Sequence, residues 1–164
     1  MRLTLPDPEA TDALGAALAA TRPGRAVVYL QGDLGAGKST LARALLRALG
    51  VTGAIRSPTY TLIEPYRLGN GDEAVHLDLY RIAVADELEF LGLDALSAQS
   101  SLWLVEWPER GRGILPGADL LIQLETAGDG RDAALTALSA EGSKWLDRLE
   151  FDNNLALAFP VNSR

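Results

Sequence analysis

Gly32-Asp33-Leu34-Gly35-Ala36-Gly37-Lys38-Ser39 is a complete match to G-x-x-x-x-G-K-S/T. It stands between an apolar run and a run of strong helix formers, and that context constrains the fold more than any other feature. Ala26-Val27-Val28-Tyr29-Leu30 is short, apolar and rich in β-branched residues, as a buried parallel strand requires. Thr40-Leu41-Ala42-Arg43-Ala44-Leu45-Leu46-Arg47-Ala48-Leu49 favours a helix, and Gly50 is placed to end it. Strand, glycine-rich loop and helix in that order aim successive backbone N–H groups and a helix N-terminus at one point. Such a point attracts phosphate. Gly35 and Gly37 permit backbone angles that a Cβ forbids. Lys38 offers a mobile cation to the β- and γ-phosphates of a nucleotide, and the Ser39 hydroxyl is the expected Mg²⁺ ligand.

The rest of the chain reads as one α/β domain over residues 1–150, followed by a tail, 151–164, without a readable pattern. A helix over 8–21 is predicted by Asp7 as N-cap, Pro8 in the first turn and Pro23-Gly24 as a stop. Residues 59–64 and 74–80 read as a β-hairpin across Gly69-Asn70-Gly71-Asp72. An acidic helix is expected over 86–93 and a strand, apolar on both faces, over 101–107. A second strand pair is expected over 118–125 and 132–140, and a final helix over 141–149. The fold class that follows is a P-loop NTPase-type domain: a mixed sheet with parallel core and antiparallel additions, flanked by helices.

Composition narrows the function. The 164 residues include no cysteine, which excludes disulfides and thiol chemistry and fits a cytoplasmic location. No apolar run approaches the roughly 18 residues of a membrane span, and no signal-peptide core follows Met1. The formal net charge is −7 and the arginines are scattered, so the chain lacks the basic stripe of a protein that holds RNA by itself. Nucleic acid in its work is expected to be held by a partner.

Four further positions are candidates for chemistry. A nucleotide hydrolase needs a carboxylate at the end of a neighbouring strand. Glu106 ends the apolar run 101–107 and fits as a metal ligand or water-orienting group, although Asp is usual there. Asp78 competes for that role. It shares a strand face with His76 and Tyr80, a combination that suits either a site or a half-exposed polar face. Thr59, in Ser57-Pro58-Thr59-Tyr60-Thr61, is placed like the threonine that reaches a γ-phosphate in nucleotide switches, or else simply opens a strand. Trp107 either closes the core or stands at the mouth of the site, where it would sense a partner. A guanine-specific Asn-Lys-x-Asp is absent; Lys144-Trp145-Leu146-Asp147 lacks the Asn.

Taken together, Gly32 to Thr40, Ser57-Pro58-Thr59-Tyr60-Thr61-Leu62, His76-Leu77-Asp78-Leu79-Tyr80-Arg81 and Glu106-Trp107-Pro108-Glu109-Arg110 resemble one family in sequence, order and spacing. It is the bacterial P-loop ATPase family of tRNA threonylcarbamoyladenosine biosynthesis, TsaE (formerly YjeE). The resemblance implies a small ATPase that uses ATP and Mg²⁺ and acts with two sugar-kinase-like subunits. These modify the adenosine beside the anticodon, and tRNA is met only through them. The resemblance places nucleotide binding on Gly32, Asp33, Leu34, Gly35, Ala36, Gly37, Lys38, Ser39 and Thr40. It places an Mg²⁺ or hydrolysis role on Asp78 and Glu106, with Ser39 on the metal, and it also implicates Thr59 and Trp107. Ser39 stands where the family more often has Thr, which preserves the hydroxyl. Two other readings remain at this stage. One is a small-molecule kinase on the same fold, with Arg110, Gly111, Arg112 and Gly113 as a short lid. The other is a nucleotide-dependent scaffold without turnover.

Overall fold

In this computed structural model of the chain, residues 1–151 are described. The tail expected over 151–164 lies, from 152 onward, outside the described residues. The elements are β1 (Arg2–Leu5), α1 (Pro8–Thr21), β2 (Ala26–Gln31), α2 (Lys38–Ala48), β3 (Ile63–Arg67), β4 (Glu73–Asp78), a 3₁₀ turn (Ala85–Leu91), α3 (Leu93–Gln99), β5 (Ser100–Glu106), a second 3₁₀ turn (Pro108–Gly111), β6 (Leu120–Ala127), β7 (Gly130–Ala137) and α4 (Ala140–Glu150). Among the described residues no helix is long and apolar enough to cross a membrane.

The strands form one sheet in the order β1-β7-β6-β2-β5-β4-β3. The central run β6-β2-β5-β4 is parallel, while β1, β7 and β3 pair antiparallel at the flanks. This is the mixed sheet that the sequence predicts. Its central strands are buried on both faces, so they read as continuous apolar runs. Ala26, Val28, Leu30, Leu102 and Leu104 face a core shared with α1, α2 and α4. Val75, Leu77, Trp103 and Val105 face a smaller core closed by Leu88, Leu93 and neighbouring residues.

Caps and close approaches set the helices. Asp7 accepts a hydrogen bond from the Ala10 N–H at 2.8 Å, and Ser139 does the same for Gly142 at 3.0 Å. Gly15 lets α1 lie directly on α2: a Cβ there would stand 2.6 Å from Ala44 Cβ. Trp145 of α4 is fully buried, and its indole N–H donates to Thr21 Oγ1 at 3.1 Å.

Three expectations need correction, and two elements are additions to the reading. Residues 59–61 form a turn, not a strand: the Leu62 N–H donates to Pro58 O at 2.8 Å and Leu62 takes a φ of 65°. The strand of that hairpin is β3, shifted to Ile63–Arg67, where Pro65 is tolerated because β3 is an edge. Its partner stops at Asp78, so Leu79 and Tyr80 lie beyond the strand. The acidic segment is a 3₁₀ turn, and the short α3 after it has no counterpart in the sequence reading. Finally, β1 is an added edge strand paired with β7.

Candidate functional site

Register brings the site together. Along the parallel strands, Leu30 of β2 pairs with Glu106 of β5, and Glu106 pairs with Asp78 of β4. All three strands therefore end side by side, and the loop 32–37 leaves β2 at the same end. β3 runs antiparallel to β4, with Ile63 opposite Leu77, so the turn before it delivers Thr59 to Asp78. Ligands of open α/β sheets gather at this carboxyl edge.

The loop backbone has the shape an anion cradle requires. Gly32, Gly35 and Gly37 have φ values of 147°, 78° and 103°. At Gly32 a Cβ would also meet Leu124 O at 2.3 Å, so only glycine fits there. Lys38 is buried, and its ammonium donates to Gly32 O at 2.7 Å and Asp33 O at 2.8 Å. An ammonium has three hydrogens. Two are held by the loop itself, and the third is left for an anion in the cradle. Burial pushes the Lys38 amine below its ordinary value, while the carboxylates of Glu106, Asp78, Glu109 and Asp33 pull it back up.

Glu106 lies beneath the loop, almost fully buried. Its Oε1 accepts from Ser39 Oγ at 2.8 Å and lies 2.8 Å from His76 Nε2. Asp78 is held differently: Oδ2 accepts from Thr59 Oγ1 at 3.1 Å and Oδ1 from the Tyr80 N–H at 3.0 Å. Ser57 Oγ bridges the two halves, 2.8 Å from Thr59 Oγ1 and 3.5 Å from Ser39 Oγ. The two carboxylates are thus fixed at neighbouring positions by different donors, joined through the hydroxyls of Ser39, Ser57 and Thr59.

Trp107 breaks out of β5 with a φ of 57° and lies over the loop, its ring 4.5 Å from Lys38 Nζ. It contacts Tyr80 with ring centroids 5.1 Å apart, and Arg110 stacks over Tyr80 at 5.5 Å. A cleft of about 230 Å³ results, lined by Lys38, Ser39, Thr59, Asp78, Glu106 and Trp107 among others. Among the described residues, no three His, Asp or Glu side chains are grouped to hold a metal ion unaided. Hard oxygen donors beside an anion cradle suit a divalent cation that is also held by phosphates.

The sequence profile of the family described as "Threonylcarbamoyl adenosine biosynthesis protein TsaE" matches residues 5–133. The chain belongs to the TsaE family. The tRNA threonylcarbamoyladenosine biosynthesis protein TsaE of Haemophilus influenzae is 48% identical over 111 residues, which cover 68% of this chain and 70% of that protein. The protein of the same name from Bacillus subtilis is 36% identical over 152 residues, 92% of this chain and 94% of its own. The crystal structure of Bacillus subtilis YdiB aligns with a TM-score of 0.76 at 30% identity, covering 92% of this chain and 93% of that one.

In this TsaE-family chain the structure brings every sequence-predicted site residue to one edge of the sheet. It also adds one that the sequence reading lacked. Arg131, on β7, donates from Nη2 to Gly35 O at 3.1 Å and lines the same cleft. In sequence the arginines are only scattered, and Arg131 reaches the loop from a hairpin almost a hundred residues away. A second cleft of about 160 Å³, between Asp7, Thr11 and Asp129, meets the first at Gly37, Thr40 and Arg131. The row His76, Asp78 and Tyr80 is not a solvent face: His76 and Asp78 are buried.

Proposed function

We propose that the chain binds Mg-ATP and hydrolyses it slowly by itself, as the accessory ATPase of tRNA threonylcarbamoyladenosine biosynthesis. The observation that carries this reading is the contact of Ser39 Oγ, on the helix after the loop, with Glu106 Oε1 at the end of the adjacent parallel strand. A serine hydroxyl that gives its hydrogen to a carboxylate keeps its lone pairs free for a cation. Ser39 and Glu106 would hold Mg²⁺, which when bound offsets the negative charge of the phosphates.

The remaining work falls to the protein's own groups. The loop N–H groups and Lys38 bind the phosphates. Thr40 and Arg131 stand where the phosphate cleft passes into the second cleft, which takes the nucleoside end. Asp78, held by Thr59 Oγ1 and the Tyr80 N–H, orients the attacking water, and Trp107 with Tyr80 keeps bulk water from the loop. The fixed arginine, Arg131, is already hydrogen-bonded to Gly35 O and Gly130 O. Turnover of the isolated chain is therefore slow, and a partner that adds or reorients a cation accelerates it.

The partners in this reading are two sugar-kinase-like subunits. A chain of net charge −7 meets tRNA only through them. The test is steady-state phosphate release with and without those subunits at fixed salt, together with a tRNA gel shift of this chain alone. Slow release that changes in the complex, with weak and salt-sensitive tRNA binding, is expected. Fast release without partners, or salt-resistant tRNA binding by the chain alone, would overturn the reading. Phosphate transfer that depends on an added small-molecule acceptor would favour a kinase instead.

A further inference from the structure

His76 is fully buried, and its Nδ1 has no hydrogen-bond partner among the described residues. Its other nitrogen, Nε2, lies 2.8 Å from Glu106 Oε1. A neutral imidazole carries one N–H, and an ionised carboxylate can only accept. If that hydrogen sat on Nδ1, a buried donor would be orphaned while two acceptors faced each other at Nε2. With the hydrogen on Nε2, the contact is a charge-assisted hydrogen bond and only a lone pair is left without a partner, the cheaper arrangement. The geometry therefore assigns the tautomer: Nε2–H donates to Glu106.

The same oxygen, Oε1, accepts from Ser39 Oγ at 2.8 Å. One donor comes from β4 and the other from α2, so the carboxylate is gripped from both sides through a single oxygen. Oε2 has no hydrogen bond from a described residue, and Glu106 lines the phosphate cleft. The grip has a purpose that an aspartate would not need. Glutamate has one more side-chain torsion than aspartate, and an ungripped carboxylate at the end of it would swing.

We infer that His76 is a positioning residue for Glu106. It fixes the longer carboxylate so that Oε2 stays turned to the phosphate and cation end of the cleft. This rests on the Mg-ATP reading above, and it concerns the Nε2–H donor, not a change in charge on the ring.

The experiment compares His76→Leu, His76→Asn, His76→Gln, Glu106→Gln and the double variant His76→Leu/Glu106→Gln. Three readouts are taken: kcat against KM for Mg-ATP, ADP affinity without Mg²⁺, and the gain in ADP affinity when Mg²⁺ is added. Removing a hydrogen bond that orients a metal-ligating group typically costs about 10–100-fold, so His76→Leu should lower kcat and the Mg²⁺-linked gain by that order. ADP affinity without Mg²⁺ should be unchanged, which also shows that the variant folds. Gln, whose amide reaches the Nε2 position, should recover most of the loss; Asn, equally polar but shorter, should not. In the Glu106→Gln background, His76→Leu should cost nothing more.

Full kcat and full Mg²⁺-linked gain in His76→Leu would overturn the inference. So would equal losses in the Gln and Asn variants, or a full further loss in the double variant. An unaffected Glu106→Gln protein would instead sink the Mg-ATP reading itself, so the two failures are distinguishable.

Discussion

The two faces of the sheet are covered unequally. On one side α1, α2 and α4 lie over the strands, with Leu14, Leu18, Leu45, Leu46 and Trp145 almost completely buried between them. On the other side the cover over β4 and β5 consists of two 3₁₀ turns and the short α3, packed through Leu88 and Leu93. Of the large apolar side chains left in solvent, Val84 and Phe90 belong to this thinner cover. The site sits on the seam. Its phosphate loop and Ser39 belong to the thick side, while Trp107, Tyr80 and Arg110 belong to the thin one. Binding strength should therefore come from the thick side. In the proposed reading the thin side, with fewer elements packed over it, is where a response to a partner would be read out.

Lys38→Ala should give the largest effect, because it removes the cation inside the thick-side loop. Each charge-assisted contact to a phosphate is worth about 1.5–3 kcal/mol. Titration of Mg-ATP into folded wild type and variant should show binding weakened by at least one such contact, with turnover lost. Equal affinity and equal turnover in the two proteins would remove the loop from the site.

Asp78→Ala separates binding from chemistry. In the proposed reading the loop backbone would hold the diphosphate, while Asp78 would act on charge and water in the transition state. Turnover should fall by about 10²-fold or more, as for a single preorganised group lost from an active site. ADP affinity should stay near that of wild type. Intact turnover would take the role from Asp78.

The contrast between the two sides also governs what the sequence reveals. The phosphate loop is legible because its residues are contiguous and each type has a separate physical job. Glu106 is legible because it ends an apolar run, and Asp78 because the strand pattern puts it beside His76. What the sequence hides is the partnership of residues that meet only through register. His76 and Glu106 are adjacent because β4 pairs with β5, and Arg131 reaches Gly35 because β7 folds back on β6. The turn at 59–61 is hidden for another reason. Thr59, Tyr60 and Thr61 all favour a strand, but the Thr59 hydroxyl bonds to Asp78 and the Leu62 N–H to Pro58 O, and these contacts override propensity. The short α3 and edge strand β1 carry too few residues for a period to emerge.

Gly15→Val tests the thick side by packing alone. A Cβ at Gly15 would lie 2.8 Å from the backbone C of Ala44 and N of Leu45, which cannot yield as a flexible side chain does. The helices must separate, and overpacking of this kind costs about 1–3 kcal/mol. Because α2 carries Ser39 and begins at Lys38, ADP affinity should fall with the stability measured in urea. A variant of wild-type stability would mean that α1 and α2 slide freely, and the thick side would lose its claim to rigidity.

Phe90→Ser should have the smallest effect. Phe90 and Leu88 share one 3₁₀ turn, yet Leu88 is fully buried and Phe90 is 89% exposed. Truncating Leu88 to Ala would open a cavity under the turn and cost about 2–5 kcal/mol. An exposed ring has little transfer free energy to lose, so Phe90→Ser should leave the free energy of unfolding within about 0.5 kcal/mol of wild type. The two urea curves should overlay with the same slope, since the surface exposed on unfolding hardly changes. ADP affinity should match as well, because Phe90 does not line the phosphate cleft. A loss above about 1 kcal/mol would exceed what an exposed position allows. It would mean that Phe90 is part of the cover in solution and that the thin side is thicker than it looks.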